Sequence, residues 1–376
     1  VEVLKNGGNA VDAAVAVGFA LAVTHPAAGN LGGGGFMLIR HADGRDTFLD
    51  FREMAPASAH RDMYLAKANS GAIQSDYQGH QIQIELNESL VGWRASGVPG
   101  TVRGLELASS KYGRKPWKDL LAPAVKLARD GFPVDYTLAE SLKSSTALLG
   151  RFPESKRIFL RDGQYYDAGE TLRQPELAAV LERIAEQGAR DFYEGETARL
   201  LAAGMKRNGG EITLNDLKRY RAVERQPLRA EYKGYTVITA PPPSSGGVGI
   251  LEMLGMLEGS GYEKGGFNAA STWHYLAEVM RRSYADRSEF LADPDLYRVP
   301  LGRLLDKAFG GLQADAELAG ALPVDVERGA QAAFLRLGRD VAEHGIPAHL
   351  GHQPIGPLAD LVGIGSRQRV LVLRTA

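Results

Sequence analysis

The sequence predicts an α+β fold, and three observations lead to that prediction. The Ala-rich stretch at residues 9–23 is typical of a helix, and a run of glycines at residues 32–35 leads into two short strands joined by a turn. Most of residues 93–290 has helical spacing, interrupted by a second pair of strands. Helices together with hairpins of antiparallel strands are typical of an α+β fold.

The composition is that of a water-soluble globular protein. Apolar residues make up 44% and charged residues 24% of the 376 residues, and the length predicts two domains or one large one. A net charge of −1 does not indicate binding to a nucleic acid or to a membrane surface, since both partners are negatively charged. The absence of cysteine excludes disulfides, thiolate metal sites and a cysteine nucleophile.

The first helix is predicted at residues 9–23. It is apolar on all sides, which favours a helix buried on every side. It carries Asp12 and is shorter than the roughly 20 residues needed to cross a bilayer, so no membrane span is expected. The preceding residues 1–6 resemble the end of an amphipathic helix that stops at Gly7 and Gly8.

A glycine-rich loop and a hairpin follow. The glycines at residues 32–35 precede a predicted strand at 36–40, a turn at Asp43 and Gly44, and a returning strand at 47–51 that ends beside Arg52. The Gly-Lys-Ser/Thr ending of a P-loop is absent, and the loop precedes a strand instead of a helix. We therefore expect the glycines to allow close backbone packing and not to bind phosphate.

The remaining elements follow from apolar spacing and from end signals. Thr213 resembles a helix N-cap, and Gly209 resembles a helix end. The glycines and proline of residues 97–100 predict a turn into a helix. Further helices are predicted at residues 117–129, 175–187, 195–206, 214–220, 248–258 and 270–290, and a second hairpin at 229–232 and 235–238.

Several segments carry a family resemblance that extends in order from Val1 to about Lys307. They are Asn6-Gly-Gly-Asn-Ala-Val-Asp, the glycine run at 32–36, Asp50-Phe-Arg-Glu-Met-Ala-Pro, Gly97-Val-Pro-Gly-Thr-Val, Ala222-Val-Glu-Arg, Pro241-Pro-Pro-Ser-Ser-Gly-Gly and Ala285-Asp-Arg-Ser-Glu-Phe-Leu-Ala-Asp-Pro-Asp. Together they resemble the large chain of γ-glutamyltransferases (glutathione hydrolases). Residues 1–307 are accordingly interpreted as a large-chain-like region, and residues 308–376 as an unmatched tail.

The resemblance implies an N-terminal-nucleophile hydrolase fold, an αββα sandwich of which this chain would supply the large-chain portion. Members of this family are made as a precursor that cleaves itself, and the freed N-terminal Thr of the small chain is nucleophile and base. The implied reaction is transfer or hydrolysis of γ-glutamyl groups, with glutathione as the usual donor and no cofactor. The implied partner is the small chain of the same precursor. Family members are usually periplasmic or extracellular, although the sequence begins at Val1 without a signal peptide.

Arg52 is the candidate substrate-binding residue. In the resembled family, the Arg of the Phe-Arg-Glu-Met-Ala-Pro motif holds the α-carboxylate of the γ-glutamyl group. A planar guanidinium can bind a carboxylate through two parallel hydrogen bonds, which a lysine cannot. The alternative is that Arg52 forms a structural ion pair with Glu53 or Asp50.

No catalytic residue is predicted in this chain. The nucleophilic Thr is expected near residues 340–350, where no hydroxyl residue occurs. The hydroxyl residues of 308–376 are Ser366 and Thr375 alone. Neither substitutes well, because cleavage there would free only a short peptide. His344, His349 and His352 lie among Gly and Pro without a metal-site pattern. Ser244 and Ser245 lack the Gly-x-Ser-x-Gly elbow of serine hydrolases.

Three interpretations of the chain remain open from the sequence. It is a large-chain region that becomes catalytic only with a small chain, a non-catalytic remnant, or a relative of cephalosporin acylases acting on another amide.

We expect the chain alone to release no amine from a γ-glutamyl anilide. We also expect it to be poorly soluble, to bind hydrophobic dyes or to self-associate. Residues 308–376 contain no Lys, Asn, Tyr, Trp or Met, which favours a changed reading frame over a diverged helical extension. Translation of that DNA in three frames distinguishes the two.

Overall fold

The computed structural model describes residues 1–65, 73–77, 80–84, 88–306 and 370–374. The chain divides into two compact units, one formed by Val1–Arg225 with Arg367–Ala376 and the other by Gln226–Ser366. Ser366, Thr375 and the three histidines at 344, 349 and 352 lie outside the described residues.

The first unit contains ten α-helices among its described residues. They are α1 (Glu2–Lys5), α2 (Ala10–Thr24), α3 (Thr101–Tyr112), α4 (Trp117–Asp130), α5 (Tyr136–Leu149), α6 (Pro153–Phe159), α7 (Pro175–Gln187), α8 (Ala189–Glu194), α9 (Glu196–Asn208) and α10 (Leu214–Arg219). A short 3₁₀ turn spans Trp93–Ala95. The predicted helices of this unit are confirmed to within two residues at each end, whereas α5, α6 and α8 were not predicted.

The described strands of the first unit are β1 (Gly35–Arg40), β2 (Asp46–Phe51), β3 (Ile73–Tyr77), β4 (His80–Ile84), β5 (Phe132–Pro133), β6 (Thr171–Leu172), β7 (Val223–Arg225) and β10 (Val370–Arg374). Four of them form one sheet in the order β10-β1-β2-β7, in which β1 and β2 are the predicted hairpin. β10 pairs with β1 in parallel, and β7 pairs with β2 antiparallel. Residues 47–51 are buried, so the end of β2 lies in the interior of the sheet.

The core of the first unit lies between this sheet and its helices. Phe19, Leu49, Val102 and Leu121 are fully buried in a single cluster that joins α2, β2, α3 and α4. Burial of such side chains stabilises the fold by roughly 1.5–3 kcal/mol each. This packing fixes the ends of β1 and β2 against α3.

The prediction that the first helix is buried on every side is wrong for the described residues. Val11, Val15 and Phe19 are fully buried, but Val17 and Leu21 are 48% and 41% exposed. These two residues are four apart and therefore lie on one face of α2, which is only partly covered. The uniform apolar pattern could not reveal which face would be left open.

The second unit contains α11 (Ser245–Leu257), α12 (Ala270–Phe290), α13 (Leu301–Leu304) and the hairpin β8 (Leu228–Tyr232) and β9 (Tyr235–Thr239), with a 3₁₀ turn at Tyr262–Gly265. The predicted hairpin and long helix are confirmed. The helix expected to start at Val248 begins three residues earlier. Gly247 lies inside it, where an added Cβ would be 2.0 Å from the carbonyl oxygen of Ala240. This glycine therefore permits a close approach and does not stop the helix.

Candidate substrate-binding site

Arg52 follows directly after β2, where the sequence places it. Its backbone N–H donates to Asp50 Oδ1 at 3.1 Å, and its carbonyl accepts a hydrogen bond of 2.8 Å from the Tyr220 hydroxyl. Both peptide groups of the residue are thus held by side chains instead of by a strand partner. The side chain of Arg52 is partly exposed. A guanidinium on a fixed backbone at the end of a buried strand is suited to binding an anionic group.

Asp50 forms its ion pair with Arg225. Arg225 Nε lies 2.8 Å from Asp50 Oδ2, and the two side chains are only 15% and 7% exposed. The pair links β2 to β7, whose residues Val223 and Arg225 pair with Asp50 and Phe48. Arg225 Nε thus contacts one oxygen of the Asp50 carboxylate, and the Arg52 backbone N–H contacts the other.

The glycine loop packs against the backbone of this site. A Cβ on Gly34 would lie 2.5 Å from the Phe51 carbonyl oxygen and 2.9 Å from the Arg52 carbonyl carbon. The Gly33 carbonyl accepts hydrogen bonds from the N–H groups of Gly100 and Thr101, at 2.7 and 3.0 Å. The expectation of close backbone packing is confirmed, since any larger side chain at residue 34 would displace the Phe51–Arg52 peptide.

The turn at residues 97–100 also packs against the backbone of the Arg52 segment, as the glycine loop does. Met54 and Val98 exchange backbone hydrogen bonds of 3.2 and 2.7 Å, and Gly97 lies so close that a Cβ would be 2.9 Å from Glu53 Cβ. A Cβ on Gly100 would lie 2.0 Å from the Phe51 carbonyl oxygen. The two motifs, which start 47 residues apart at Asp50 and Gly97, thus form one continuous backbone layer around Arg52.

The far end of the Arg52 segment is anchored to the start of α10. Asp216 Oδ1 accepts the Ala57 N–H at 2.9 Å, while its other oxygen accepts the N–H and hydroxyl of Thr213 in the predicted helix cap. Burial acts to raise the pKa of Asp216, but the hydrogen bonds from Thr213 and Ala57 outweigh it and lower the pKa below its ordinary value. Asp216 therefore stays ionised and holds the segment at neutral pH.

Two buried tyrosines lie beneath the site. The rings of Tyr193 and Tyr220 stack with centroids 5.8 Å apart and planes 13° from parallel. The Tyr193 hydroxyl donates to the Pro99 carbonyl at 2.9 Å and accepts from the Arg103 N–H at 3.2 Å. Burial raises the pKa of both phenols far above the ordinary value, so both remain protonated donors.

Sequence reasoning found Arg52 and the glycines but missed Asp50, Tyr193, Tyr220 and Arg225 as parts of the site. Arg225 ends the Ala222-Val-Glu-Arg motif, which was a usable signal for it. Tyr220 is 168 residues from Arg52, and no local pattern connects the two.

Ser244 is buried, and Ser245 accepts a hydrogen bond from Arg287 Nε at 3.0 Å, which gives the serine-hydrolase interpretation no support. Across the described residues, no group of His, Asp and Glu side chains could hold a metal ion, and no described helix is long and apolar enough to cross a membrane.

Comparison with known proteins identifies the family. The profile of the Gamma-glutamyltranspeptidase family matches residues 1–316. The glutathione hydrolase proenzyme of Escherichia coli K12 is 47% identical over 340 residues, 90% of this chain and 55% of that protein. The crystal structure of Helicobacter pylori gamma-glutamyltranspeptidase has a TM-score of 0.77 and 42% identity, covering 84% of this chain and 86% of that one. Cephalosporin acylase from Bacillus halodurans has a TM-score of 0.72 and 27% identity, covering 84% and 56%.

These neighbours place the fold in the α+β class of N-terminal-nucleophile hydrolases, as expected. Within that class, the chain belongs to the Gamma-glutamyltranspeptidase family. It spans about half the length of the curated relatives that it matches. The family profile ends at residue 316, nine residues beyond the predicted boundary at 307. The origin of the residues that follow stays a prediction.

Proposed function

We propose that this chain forms the γ-glutamyl-binding part of a γ-glutamyltransferase, with Arg52 binding the α-carboxylate of glutathione and related γ-glutamyl amides. The observation that carries the proposal is the Arg52 backbone, held at its N–H by Asp50 and at its carbonyl by Tyr220. A fixed backbone limits the positions that the Arg52 guanidinium can reach, which lowers the entropy lost when it binds a carboxylate. No residue of the described site is assigned the role of nucleophile.

The proposed reaction passes the γ-glutamyl acyl group to water or to an amine. An N-terminal Thr would supply the nucleophile, and by family resemblance it would come from a small chain of the same precursor, which is the proposed partner. The role of Arg52 is to orient the donor, and orientation contributes to the rate by holding the reacting carbonyl in place. An exported location is proposed on the same resemblance.

Binding of glutathione to the 376-residue chain tests the role of Arg52. Arg52→Lys is expected to weaken binding about tenfold, because the ammonium replaces a two-point contact with a single one. Arg45→Lys is the matched control, since Arg45 is an exposed arginine at the other end of the β1–β2 hairpin, paired with Asp43. Titration calorimetry or ligand-observed NMR gives the affinities. Equal affinities for the wild type and Arg52→Lys would contradict the assignment.

A second candidate is an acylase acting on amides without an α-carboxylate. The resemblance to Bacillus halodurans cephalosporin acylase favours it. Arg52 distinguishes the two functions, because a donor without an α-carboxylate gives the guanidinium nothing to bind. The acylase is favoured if a γ-aminobutyryl analogue, which is glutathione without its α-carboxylate, binds as tightly as glutathione. The γ-glutamyl function is favoured if glutathione binds more tightly.

A further inference from the structure

The Arg52 backbone depends on one hydroxyl group that lies far away in sequence. Tyr220 is 2% exposed, and its hydroxyl donates to the Arg52 carbonyl at 2.8 Å. The hydroxyl is also in close contact with Gly100, where a Cβ would come within 2.2 Å of it. The Tyr220 hydroxyl is therefore confined between the backbone of Arg52 and the backbone of Gly100. It has little freedom to find another acceptor.

The ring of Tyr220 is held as firmly as its hydroxyl. It stacks on Tyr193, which is fully buried and donates its own hydroxyl to the Pro99 carbonyl. Arg103 covers the other ring, with its guanidinium carbon 4.5 Å from the centroid of Tyr193. The two stacked phenols thus hold one carbonyl each, those of Arg52 and Pro99, on the two segments that the antiparallel Met54–Val98 bridge joins.

We infer that Tyr220 is a positioning residue for Arg52, whose hydroxyl fixes the Arg52 peptide so that the guanidinium meets the α-carboxylate of the donor. The inference rests on the proposed function of Arg52. Asp50 fixes the N–H side of the same residue and is itself held by Arg225. The carbonyl side is fixed by the Tyr220 hydroxyl.

The hydrogen bond is stable across the working pH range. Burial raises the pKa of Tyr220 far above its ordinary value, and the nearby Asp50 and Glu53 charges act in the same direction. The phenol therefore remains a protonated donor at neutral pH. In Tyr220→Phe the ring stack with Tyr193 is kept, but the Arg52 carbonyl loses this donor, which costs stability and local order.

The test uses the 376-residue chain and two ligands, glutathione and its γ-aminobutyryl analogue without the α-carboxylate. The readout is the ratio of the two dissociation constants. A general loosening of the protein weakens the binding of both ligands alike and therefore leaves the ratio unchanged. Tyr220→Phe is expected to weaken the binding of glutathione about five- to tenfold and to leave the affinity for the analogue unchanged. Tyr64→Phe is the control and should keep the ratio, because the Tyr64 hydroxyl donates to the Arg94 carbonyl at 3.0 Å and not to a residue of the site.

The outcomes separate the inference from the function on which it rests. If Arg52→Lys abolishes the preference for glutathione while Tyr220→Phe keeps it, the positioning role is overturned and the role of Arg52 stands. The positioning role is likewise overturned if Tyr64→Phe lowers the preference as much as Tyr220→Phe. If the wild type shows no preference, or no binding of glutathione, the proposed function fails and the inference fails with it. Thermal midpoints of all variants verify that each is folded.

Discussion

A buried carboxyl group in the second unit has a strongly raised pKa. Glu252 on α11 is 8% exposed and interacts with Asp286 and Ser283 on α12. Burial raises the pKa of Glu252 to about 7, and the hydrogen bond and charge of Asp286 act in the same direction. The protonated carboxyl can donate to Asp286, whereas the ionised form would place two negative charges together between the helices.

This raised pKa predicts a stability change near neutrality. The pKa of Glu252 is higher in the folded chain than its ordinary value of 4.5, so the folded state binds the extra proton between about pH 4.5 and 7. The stabilising contribution is complete below that window and is lost as the pH rises through about 7. Urea unfolding followed by circular dichroism at pH 4.5 to 8 should show this decline in the wild type.

Glu252→Gln should remove the decline, because the amide does not titrate. The control is Glu289→Gln, which neutralises an exposed glutamate on the long helix α12 and should retain the decline. Subtracting the variant curve from the wild-type curve isolates the single group from other titrating carboxylates. Parallel curves for the wild type and Glu252→Gln would show that Glu252 is ionised in the folded protein.

At this scale the sequence could identify groups whose chemistry is tied to a local motif. Arg52 stands in such a motif, and its place after β2 follows from the predicted hairpin. Tyr220 and Glu252 do not, because their roles arise from partners 168 and 34 residues away. Tertiary packing sets the hydrogen-bond partners and the pKa values, and a local pattern contains no information about it.

At the scale of elements, the start of α2 is fixed by a complete set of cap hydrogen bonds. Asn9 and Asp12 form a capping box, with the Asp12 N–H donating to Asn9 Oδ1 at 3.0 Å and the Asn9 N–H donating to Asp12 Oδ2 at 2.8 Å. The fully buried Asp12 also accepts the N–H groups of Arg114 and Lys115, at 2.9 and 3.1 Å. One carboxylate thus caps α2 and joins it to the loop before α4.

Asp12→Asn should destabilise the chain by about 2 kcal/mol, because the amide keeps one acceptor oxygen and turns a donor toward buried N–H groups. The matched control is Asp119→Asn, an exposed acid in the first turn of α4, which should change the free energy of unfolding by less than about 0.5 kcal/mol. Urea denaturation gives both values. Equal effects of the two substitutions would show that the capping box contributes no more than a surface charge.

Elements with a strong local pattern were predictable, and those defined by contacts were not. α7 and α12 have the predicted bounds because apolar spacing and end residues agree. β7 has three residues and gains its identity only by pairing with β2. The start of α11 was misplaced because Gly246 and Gly247 resemble a turn, although the close approach of Ala240 requires a glycine inside the helix.

At the scale of the whole molecule, apolar side chains remain on the surface of each unit. Val17 and Leu21 are exposed on α2 in the first unit, and Phe267 and Leu296 are 92% and 88% exposed in the second. Exposed apolar groups that lie side by side, as on α2, favour contact with another apolar surface. The sequence-based expectation of dye binding and self-association has a structural basis in these residues.

The double substitution Val17→Lys with Leu21→Lys should therefore reduce dye fluorescence and self-association without lowering the thermal midpoint, because neither side chain is buried in the described core. Val15→Lys is the control on the buried face of the same helix. Val15 is fully buried, so its replacement places an unpaired charge in the core and should unfold the chain. Light scattering, dye binding and thermal melts distinguish the two. If the double variant melts as early as Val15→Lys, or if the wild type is a monodisperse monomer that binds no dye, the face of α2 is covered in solution and the expectation is wrong.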